Sequence, residues 1–174
     1  MRKLAINLAL VLISTFISSC SEGDLFDGDI NFEANLEKCS NNTDFVFYKI
    51  DGSKSLSVNF TSSTFDINAA DENQTFTIAL NNNSNVLSYR VFDNSIDGTA
   101  YFCSSIPPNG INVIDELTSI SGSVEITYSQ TSTSGTQTTY NRTVTLRDIT
   151  LTGPGRAIRK EILILGSDEV VVTN

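Results

Sequence analysis

The 174-residue chain contains no histidine and no tryptophan, and it has only one methionine and three cysteines. Histidine is the commonest general base near neutral pH and the commonest metal ligand in proteins. Its absence excludes Ser-His-Asp and Cys-His catalysis and any histidine-ligated zinc site. So few cysteines cannot form a thiolate metal site either. We therefore expect no metal and no cofactor.

Long apolar runs are also scarce, and the clearest one lies at the amino end. It extends from Leu4 to Ile17, behind Arg2-Lys3 and ahead of Ser18-Ser19-Cys20. As a helix, these roughly 14 residues span about 21 Å, which is shorter than the ~30 Å hydrocarbon core of a bilayer. The pattern predicts a signal peptide at residues 1–19 rather than a permanent transmembrane helix.

Residues Ile17 to Cys20 resemble the lipobox of bacterial lipoproteins. The resemblance implies cleavage before Cys20, a diacylglycerol on the Cys20 thiol and a third acyl chain, such as palmitate, on the freed amine. Several acyl chains, at ~0.8 kcal/mol per buried methylene, hold a protein to a membrane more firmly than one chain. Ordinary secretion with an unmodified cysteine is the alternative.

Residues 20–29 read as the lipidated cysteine followed by an acidic, glycine-containing tether, and residues 30–174 as a single domain. The tether resembles the export signal of surface lipoproteins in Bacteroidota, and a solvated linker is the alternative. We therefore expect a protein anchored to the outer membrane. The sequence leaves open whether it lies on the periplasmic or the surface face of that membrane.

The chain is strongly acidic, with 11 Lys and Arg against 20 Asp and Glu and a net charge of −9. Removing residues 1–19 takes away Arg2 and Lys3 and no acid, which leaves a mature net charge of −11. Such a surface repels phosphate backbones and anionic headgroups, so nucleic acid is excluded as a partner. Contact with the membrane is expected through the lipid alone.

Two cysteines, Cys39 and Cys103, remain in the mature chain. An even number of cysteines in an exported protein indicates a disulfide, and each of these two ends a strand-like segment. Closing a loop of about 64 residues would stabilise the fold by roughly 4 kcal/mol. Two buried free thiols are the alternative.

Most of residues 30–174 read as β-strands, because Thr, Ser, Asn and β-branched residues dominate and helix signals are nearly absent. Residues 55–60, 75–80 and 123–128 alternate between apolar and polar, which predicts strands with one wet face. Residues 45–48 and 162–165 are apolar on both faces, which predicts central strands.

Other segments give less regular patterns. Residues 30–36 predict a first strand, and residues 86–92 place apolar side chains on both faces. The apolar phase changes within residues 143–151, which predicts a β-bulge near Arg147-Asp148. Residues 112–117 fit either one helical turn or an irregular edge.

Turn residues separate these segments. Predicted reversals are Asp51-Gly52, Asn81 to Asn83, Asp97-Gly98, Ser134-Gly135 and Gly153 to Arg156, and Pro107 to Gly110 begins a longer connection. Nine or ten strands at this spacing, without crossover helices, predict an all-β fold. We expect an antiparallel β-sandwich of the immunoglobulin or transthyretin type.

Glycosidases need two carboxyl groups about 5–9 Å apart across a cleft, so paired carboxylates are the first candidates for catalysis. Adjacent acids occur at Asp71-Glu72, Asp115-Glu116 and Asp168-Glu169. Neighbours on a strand point to opposite faces, so these pairs do not converge, and solvated surface charge is the favoured interpretation. We predict no catalytic residue.

Two residues are candidates for ligand binding. Tyr140 lies near the polar hairpin tip at 129–139, and Arg156 projects from the Gly-Pro-Gly turn of an acidic protein. Core packing for Tyr140 and a plain turn role for Arg156 are the alternatives.

The order of these features resembles uncharacterised exported lipoproteins of flavobacteria and other Bacteroidota. The matching segments are Ile17 to Cys20, Cys39 with Phe45 to Lys49, Ser55 to Val58, Tyr101 to Pro108 and Gly122 to Ile126. The resemblance implies an exported lipoprotein and supplies no catalytic residue.

These observations favour a non-enzymatic binding or structural module, anchored by lipid, with an envelope protein or a glycan as its partner. A fimbria-like subunit that assembles by strand exchange and a glycan-capture protein are alternatives within that class. A secreted hydrolase acting through carboxylates is the alternative from a different class. The sequence leaves the ligand and the oligomeric state open.

Overall fold

A computed structural model of the protein describes residues 30, 32–41, 44–61, 64–71 and 73–173. The signal peptide, Cys20 and the tether lie outside the described residues, so the predictions made for them are not addressed by the fold. Among the described residues, no helix is long and apolar enough to cross a membrane.

The described residues form eight antiparallel strands and one short helix. The elements are β1 (Glu37–Asn41), β2 (Asp44–Asp51), β3 (Lys54–Thr61), β4 (Phe76–Ala79), β5 (Val86–Phe92), α1 (Gly98–Phe102), β6 (Val113–Ser134), β7 (Gln137–Gly153) and β8 (Arg156–Thr173). All eight strands belong to one sheet with the order β1-β2-β3-β5-β6-β7-β8. Strand β4 pairs with β6 beyond the end of β5, because β5 and β4 use successive stretches of the same edge of β6.

The all-β prediction is confirmed, whereas a sandwich of nine or ten strands is not. Strands β6, β7 and β8 are 22, 17 and 18 residues long, so segments that read as separate short strands are continuous. A single sheet then buries its apolar face by curling on itself rather than by packing on a second sheet.

The curl is produced by a line of irregularities across the three long strands. In β7, Val144 and Leu146 are buried, and so are Ile149 and Leu151, while Asp148 between them has a φ of 50°. This confirms the predicted bulge near Arg147-Asp148. Beside it in β6, Gly122 has a φ of 116°, and a Cβ there would lie 2.8 Å from the Ile149 Cα.

The core lies inside the curl and consists of apolar side chains from the concave face of the sheet. Its members include Phe45, Phe47, Leu56, Val58, Phe60, Phe65, Leu87, Tyr89, Leu117, Val124, Ile126, Tyr128, Val144, Leu146, Ile149, Leu151, Leu163 and Leu165. The core contains an aromatic group in which the Phe45 ring stacks on Phe60 and is tilted against Phe65, with 5.3 Å between ring centroids in each pair.

The convex face of β2, β3 and β5 is covered by residues 93–112, which contain α1. The Ile96 N–H donates to the Gly52 carbonyl, and a Cβ at Gly98 would meet the Tyr48 ring. Ser57, the cross-strand partner of Tyr48, is therefore buried, and so is Ser55. The prediction of a wet face for this strand is correct at Asn59, which is exposed, and wrong at Ser55 and Ser57, because their cover comes from residues about 40 positions away.

Two further predictions are wrong, and a third is settled between its alternatives. Asp97-Gly98 is not a turn: the Asp97 carboxylate accepts from the Ala100 N–H at 3.0 Å and caps α1. Residues 32–36 form no strand, although Ile30 and Phe32 are buried as their phase indicated. Residues 112–117 are not helical; of the two predicted alternatives the irregular edge is found, because Val113 to Leu117 pair only with β5, across a register shift between Val91 and Phe92, and the ladder with β7 begins at Thr118.

The predicted central strand at 162–165 lies in β8, which is an edge strand. Leu163 and Leu165 point into the core, whereas Ile162 and Ile164 are 61% and 63% exposed on the convex face. Near the carboxyl end of β8 the other edge of the sheet approaches: a Cβ at Gly166 would contact Leu36, and Lys38 of β1 pairs with Asp168.

Candidate functional site

An open groove of about 350 Å³ lies on the convex face, between the cover and the start of β5. Its floor is one row of side chains across three strands: Val46 of β2 pairs with Asn59 of β3, which pairs with Val86 of β5. The size falls within the range of small-molecule sites in proteins. The groove exists because the cover over Tyr48 and Ser57 stops short of this row.

Phe102, at the end of α1, forms the aromatic wall of the groove. Its ring stacks on Tyr48 with 4.7 Å between centroids, and Tyr101 meets it edge-on at 5.1 Å. Cys103, the next residue, forms the predicted disulfide with Cys39 of β1, which also lines the groove. The disulfide and the Tyr48 ring together hold Phe102 in place against the sheet.

The loop that carries Phe102 is closed at its base by Asp93 and Asn112. The Asn112 N–H and side-chain amide donate to the two Asp93 carboxylate oxygens at 3.0 and 2.7 Å, and the Asp93 N–H donates to the Asn112 carbonyl. These hydrogen bonds from Asn112 hold the pKa of Asp93 below its usual range. A carboxylate that is ionised at neutral pH therefore fixes both ends of the cover.

The opposite wall comes from the turn before β5, which Asn81 organises. The Asn81 side-chain oxygen accepts from the N–H groups of Asn83, Ser84 and Asn85 at 2.8, 2.7 and 3.3 Å. Asn favours such local turns because its side chain replaces a backbone acceptor. The result fixes Asn83 and Ser84 at the rim of the groove.

The polar groups around the groove are mostly neutral. Asn59, Asn83, Ser84 and Thr61 supply amides and hydroxyls, and Asp44 alone is charged among the described residues that line it. Amides donate and accept, and hydroxyls do the same. The arrangement combines an aromatic ring, an apolar floor and neutral hydrogen-bonding groups, and it offers no cation to a phosphate or carboxylate.

Burial keeps the aromatic backing of this site uncharged. Burial raises the pKa of the Tyr48 hydroxyl above 10, with a smaller opposite effect from its hydrogen bond to Thr99. Tyr48 is therefore a neutral phenol throughout the physiological range. Its ring supports Phe102 without placing a charge beside the groove.

A second crevice, of about 280 Å³, lies where β1 approaches β8 and is lined by Lys38, Glu169 and Val170 among others. Beside it, Lys38 pairs with Asp168, which also binds Arg142. Asp168 thereby links Lys38 of β1 to Arg142 of β7 across the closing edges of the curl. The cluster stabilises the fold and leaves no unpaired group of its own toward the crevice.

Four of the six acids in the candidate catalytic pairs are engaged by other residues in the described part of the chain. Asp115 pairs with Arg156, Glu116 with Arg90 and Asp168 with Arg142. The Asp71 carboxylate accepts from the Asn73 N–H at 2.9 Å within a turn. Glu72 lies outside the described residues. No group of three or more potential metal ligands occurs in the described part of the chain.

The two residues predicted as ligand-binding candidates lie away from the groove. Tyr140 is partly buried, packs against the core and meets Tyr128 edge-on at 6.5 Å. Arg156 follows the predicted turn, and its guanidinium pairs with Asp115. The geometry accordingly favours the core and turn interpretations for these residues.

Sequence reasoning missed the groove residues Asn59, Asn83 and Phe102, which come from three distant segments. The available signal was the position of Phe102 next to Cys103, since a disulfide fixes its neighbours. Searches against family models, curated proteins and solved structures find no match to this chain.

Proposed function

We propose that the protein is a non-enzymatic binding module of the bacterial envelope that captures a neutral, hydroxyl-rich ligand, a glycan, in the groove beside Phe102. The observation that carries this proposal is the groove itself, which is lined by a fixed aromatic ring, amides and hydroxyls and by no cation among the described residues. Sugars present apolar C–H faces that pack on aromatic rings and hydroxyl pairs that exchange hydrogen bonds with amides.

Charge supports a neutral ligand over an anionic one. Asp44 at the groove and a net charge of −9 for the chain both repel phosphates and carboxylates. Organic ammonium ions are the competing class, because a carboxylate and an aromatic ring also suit a cation. The amides favour the sugar, since Asn59 and Asn83 supply acceptors and donors in equal number.

Binding without catalysis is supported by the fate of the carboxylates. Asp115, Glu116 and Asp168 are each engaged by an arginine on another strand. Hydrolysis of a glycoside needs two carboxyl groups facing each other across the ligand, and Asp44 is the one carboxylate among the described groove residues.

Anchoring at Cys20 completes the proposal. The segment from Ile17 to Cys20 has the lipobox pattern, and an acidic tether of about nine residues would hold the domain off the membrane. The protein would act as a tethered capture module of an outer membrane of the flavobacterial type.

A glycan array probed with the full lipidated chain in detergent micelles tests the binding function. We expect neutral oligosaccharides to bind, and Phe102→Ala and Asn59→Ala each to weaken binding about tenfold. Ile106→Ala and Asn109→Ala are matched controls on the exposed part of the same connection. Equal binding by the groove variants and the controls, or selective binding of organic amines, would overturn the proposal.

The anchor is tested separately. Mass spectrometry of the amino-terminal peptide from the native host is expected to show acylated Cys20, and Cys20→Ala is expected to release the protein from the membrane fraction. A bare Cys20 thiol would remove the anchor while leaving groove binding untouched.

A further inference from the structure

The outer edge of β8 carries a surface that is independent of the groove. In the described part of the chain β8 pairs only with β7, through a ladder that extends from Gln137 to Gly153. Strand β1 approaches β8 near Gly166 and Asp168, which leaves the stretch Arg156–Leu165 as an open edge. Unpaired edges present backbone N–H and C=O groups that template pairing with another strand.

The convex face of this stretch is unusually apolar for an exposed surface. Ile162 and Ile164 are 61% and 63% exposed, although they flank Leu163, which is 9% exposed. Their ladder partners on β7 are Arg147, opposite Ile162, and Thr145, opposite Ile164. Two adjacent exposed isoleucines on an edge strand are what a paired strand would cover.

The two exposed charges of the same stretch are opposite in sign. Arg159 and Glu161 are exposed, and neither belongs to an ion pair within the described residues. Lys160 between them is engaged within the chain. All four other described arginines are paired with acids on their own chain, namely Arg90, Arg142, Arg147 and Arg156.

We propose that a second copy of this chain pairs with the β8 edge in antiparallel orientation, forming a two-fold symmetric dimer centred near Lys160. Antiparallel pairing sets Arg159 of each copy beside Glu161 of the other, so one contact between opposite charges occurs twice. In this register Ile162 of each copy lies opposite Ile158 of the other, and the two Lys160 residues, each engaged within its own chain, meet on the axis. A two-fold contact uses the same edge on both copies and closes without forming a polymer.

The contact area of one paired edge is small, so the dimer is weak and depends on concentration. Charged residues on edge strands usually keep copies of a protein apart by repulsion. Here Arg159 and Glu161 have opposite signs and attract each other across the contact. The pairing is therefore expected to weaken as ionic strength rises.

Analytical ultracentrifugation of the full lipidated chain in density-matched micelles, across a concentration series, tests the dimer. We expect a monomer–dimer equilibrium that Glu161→Arg and Arg159→Glu each shift at least tenfold toward monomer. The double variant, with both charges exchanged, is expected to restore dimerisation. Glu33→Arg, at an exposed position outside β8, is the matched control.

Three outcomes would overturn the dimer: a monomer at every concentration, dimerisation unaffected by either single charge reversal, and failure of the double exchange to restore pairing in a protein whose circular dichroism is unchanged. Open-ended polymers would also overturn it and would point to strand exchange between copies. None of these outcomes depends on glycan binding.

Discussion

Asp168 on β8 binds the guanidinium of Arg142 on β7 with both carboxylate oxygens, at 2.8 Å to Nε and 2.6 Å to Nη2. The Arg142 side chain is fully buried, donates to the Ile67 carbonyl at 2.7 Å and lies 4.8 Å from the centre of the Phe47 ring. A buried charge is tolerated only when it is paired and hydrogen-bonded, and Arg142 meets both conditions.

Asp168→Asn should therefore destabilise the protein strongly. The substitution leaves the buried guanidinium without its counter-charge, and removing one partner of a buried pair costs about 3–5 kcal/mol. Urea unfolding followed by circular dichroism measures the change. Asp148→Asn, at an exposed position on β7, is the control and should change the free energy of unfolding by less than about 1 kcal/mol. Similar losses in the two variants would contradict a structural role for the Arg142–Asp168 pair.

Gly122 should be difficult to replace. Its φ of 116° is unfavourable for any other residue, and a Cβ would lie 2.9 Å from the Arg147 carbonyl oxygen. We expect Gly122→Ala to cost about 2–4 kcal/mol from backbone strain and overpacking. Gly110→Ala is the control, because Gly110 has a φ of 81° and open space around it, and its expected cost is about 1 kcal/mol. Equal midpoints in urea for the two variants would refute the assigned bend.

The extent to which sequence predicted this fold depends on how local each signal is. The bulge at Asp148 was predictable because the phase change is contained within one strand. The burial of Ser57 was not, because its cover comes from the loop around α1. Residues 162–165 looked central because apolarity on both faces does not distinguish a strand paired on both sides from one whose outer edge is open.

The groove was unpredictable for the same reason. Asn59, Asn83 and Phe102 are brought together by strand order and by the disulfide, and each looks like an ordinary strand, turn or helix residue in the sequence. The hairpin tip near Tyr140 is a candidate site in the sequence because its polar residues are contiguous. A contiguous run of polar residues identifies a loop in the sequence. A groove built from separate strands can be identified only when the register of those strands is known.

Removing the disulfide should weaken both the fold and the groove. The Cys39–Cys103 bond closes a loop with a sequence separation of 64 residues, so the double variant Cys39→Ser with Cys103→Ser is expected to lose up to about 4 kcal/mol of stability. Because Phe102 adjoins Cys103, ligand affinity should fall in conditions where the variant is still folded. Chemical denaturation and glycan binding, measured on the same preparation, separate the two effects. Unchanged affinity in a folded double variant would contradict the disulfide's role in positioning Phe102.

Ionisation of Tyr48 should limit stability at alkaline pH. Burial raises the pKa of Tyr48 in the folded protein, and it does the same for Tyr128, where Arg142 partly opposes the effect. Below pH 10 both states of each phenol are neutral, so its contribution to stability is fully present. As the pH rises above 10, the unfolded chain ionises first, and stability falls until the folded pKa is passed. Unfolding midpoints in urea should therefore decrease from about pH 10 upward.

Tyr48→Phe isolates the contribution of that phenol. Phenylalanine keeps the ring against Phe102 and cannot ionise, so the variant should resist alkaline unfolding better than the parent chain. At pH 7 the two proteins should differ little, because within the described residues the hydroxyl makes only long contacts, of 3.4 Å with the Thr99 hydroxyl and 3.8 Å with the Cys103 sulfur. Tyrosinate absorbance near 295 nm, recorded with circular dichroism during a pH titration, reports ionisation and unfolding together. If Tyr48→Phe and the parent chain lost structure at the same pH, the Tyr48 phenol would not be the group that limits alkaline stability, and its burial beneath α1 would be in doubt.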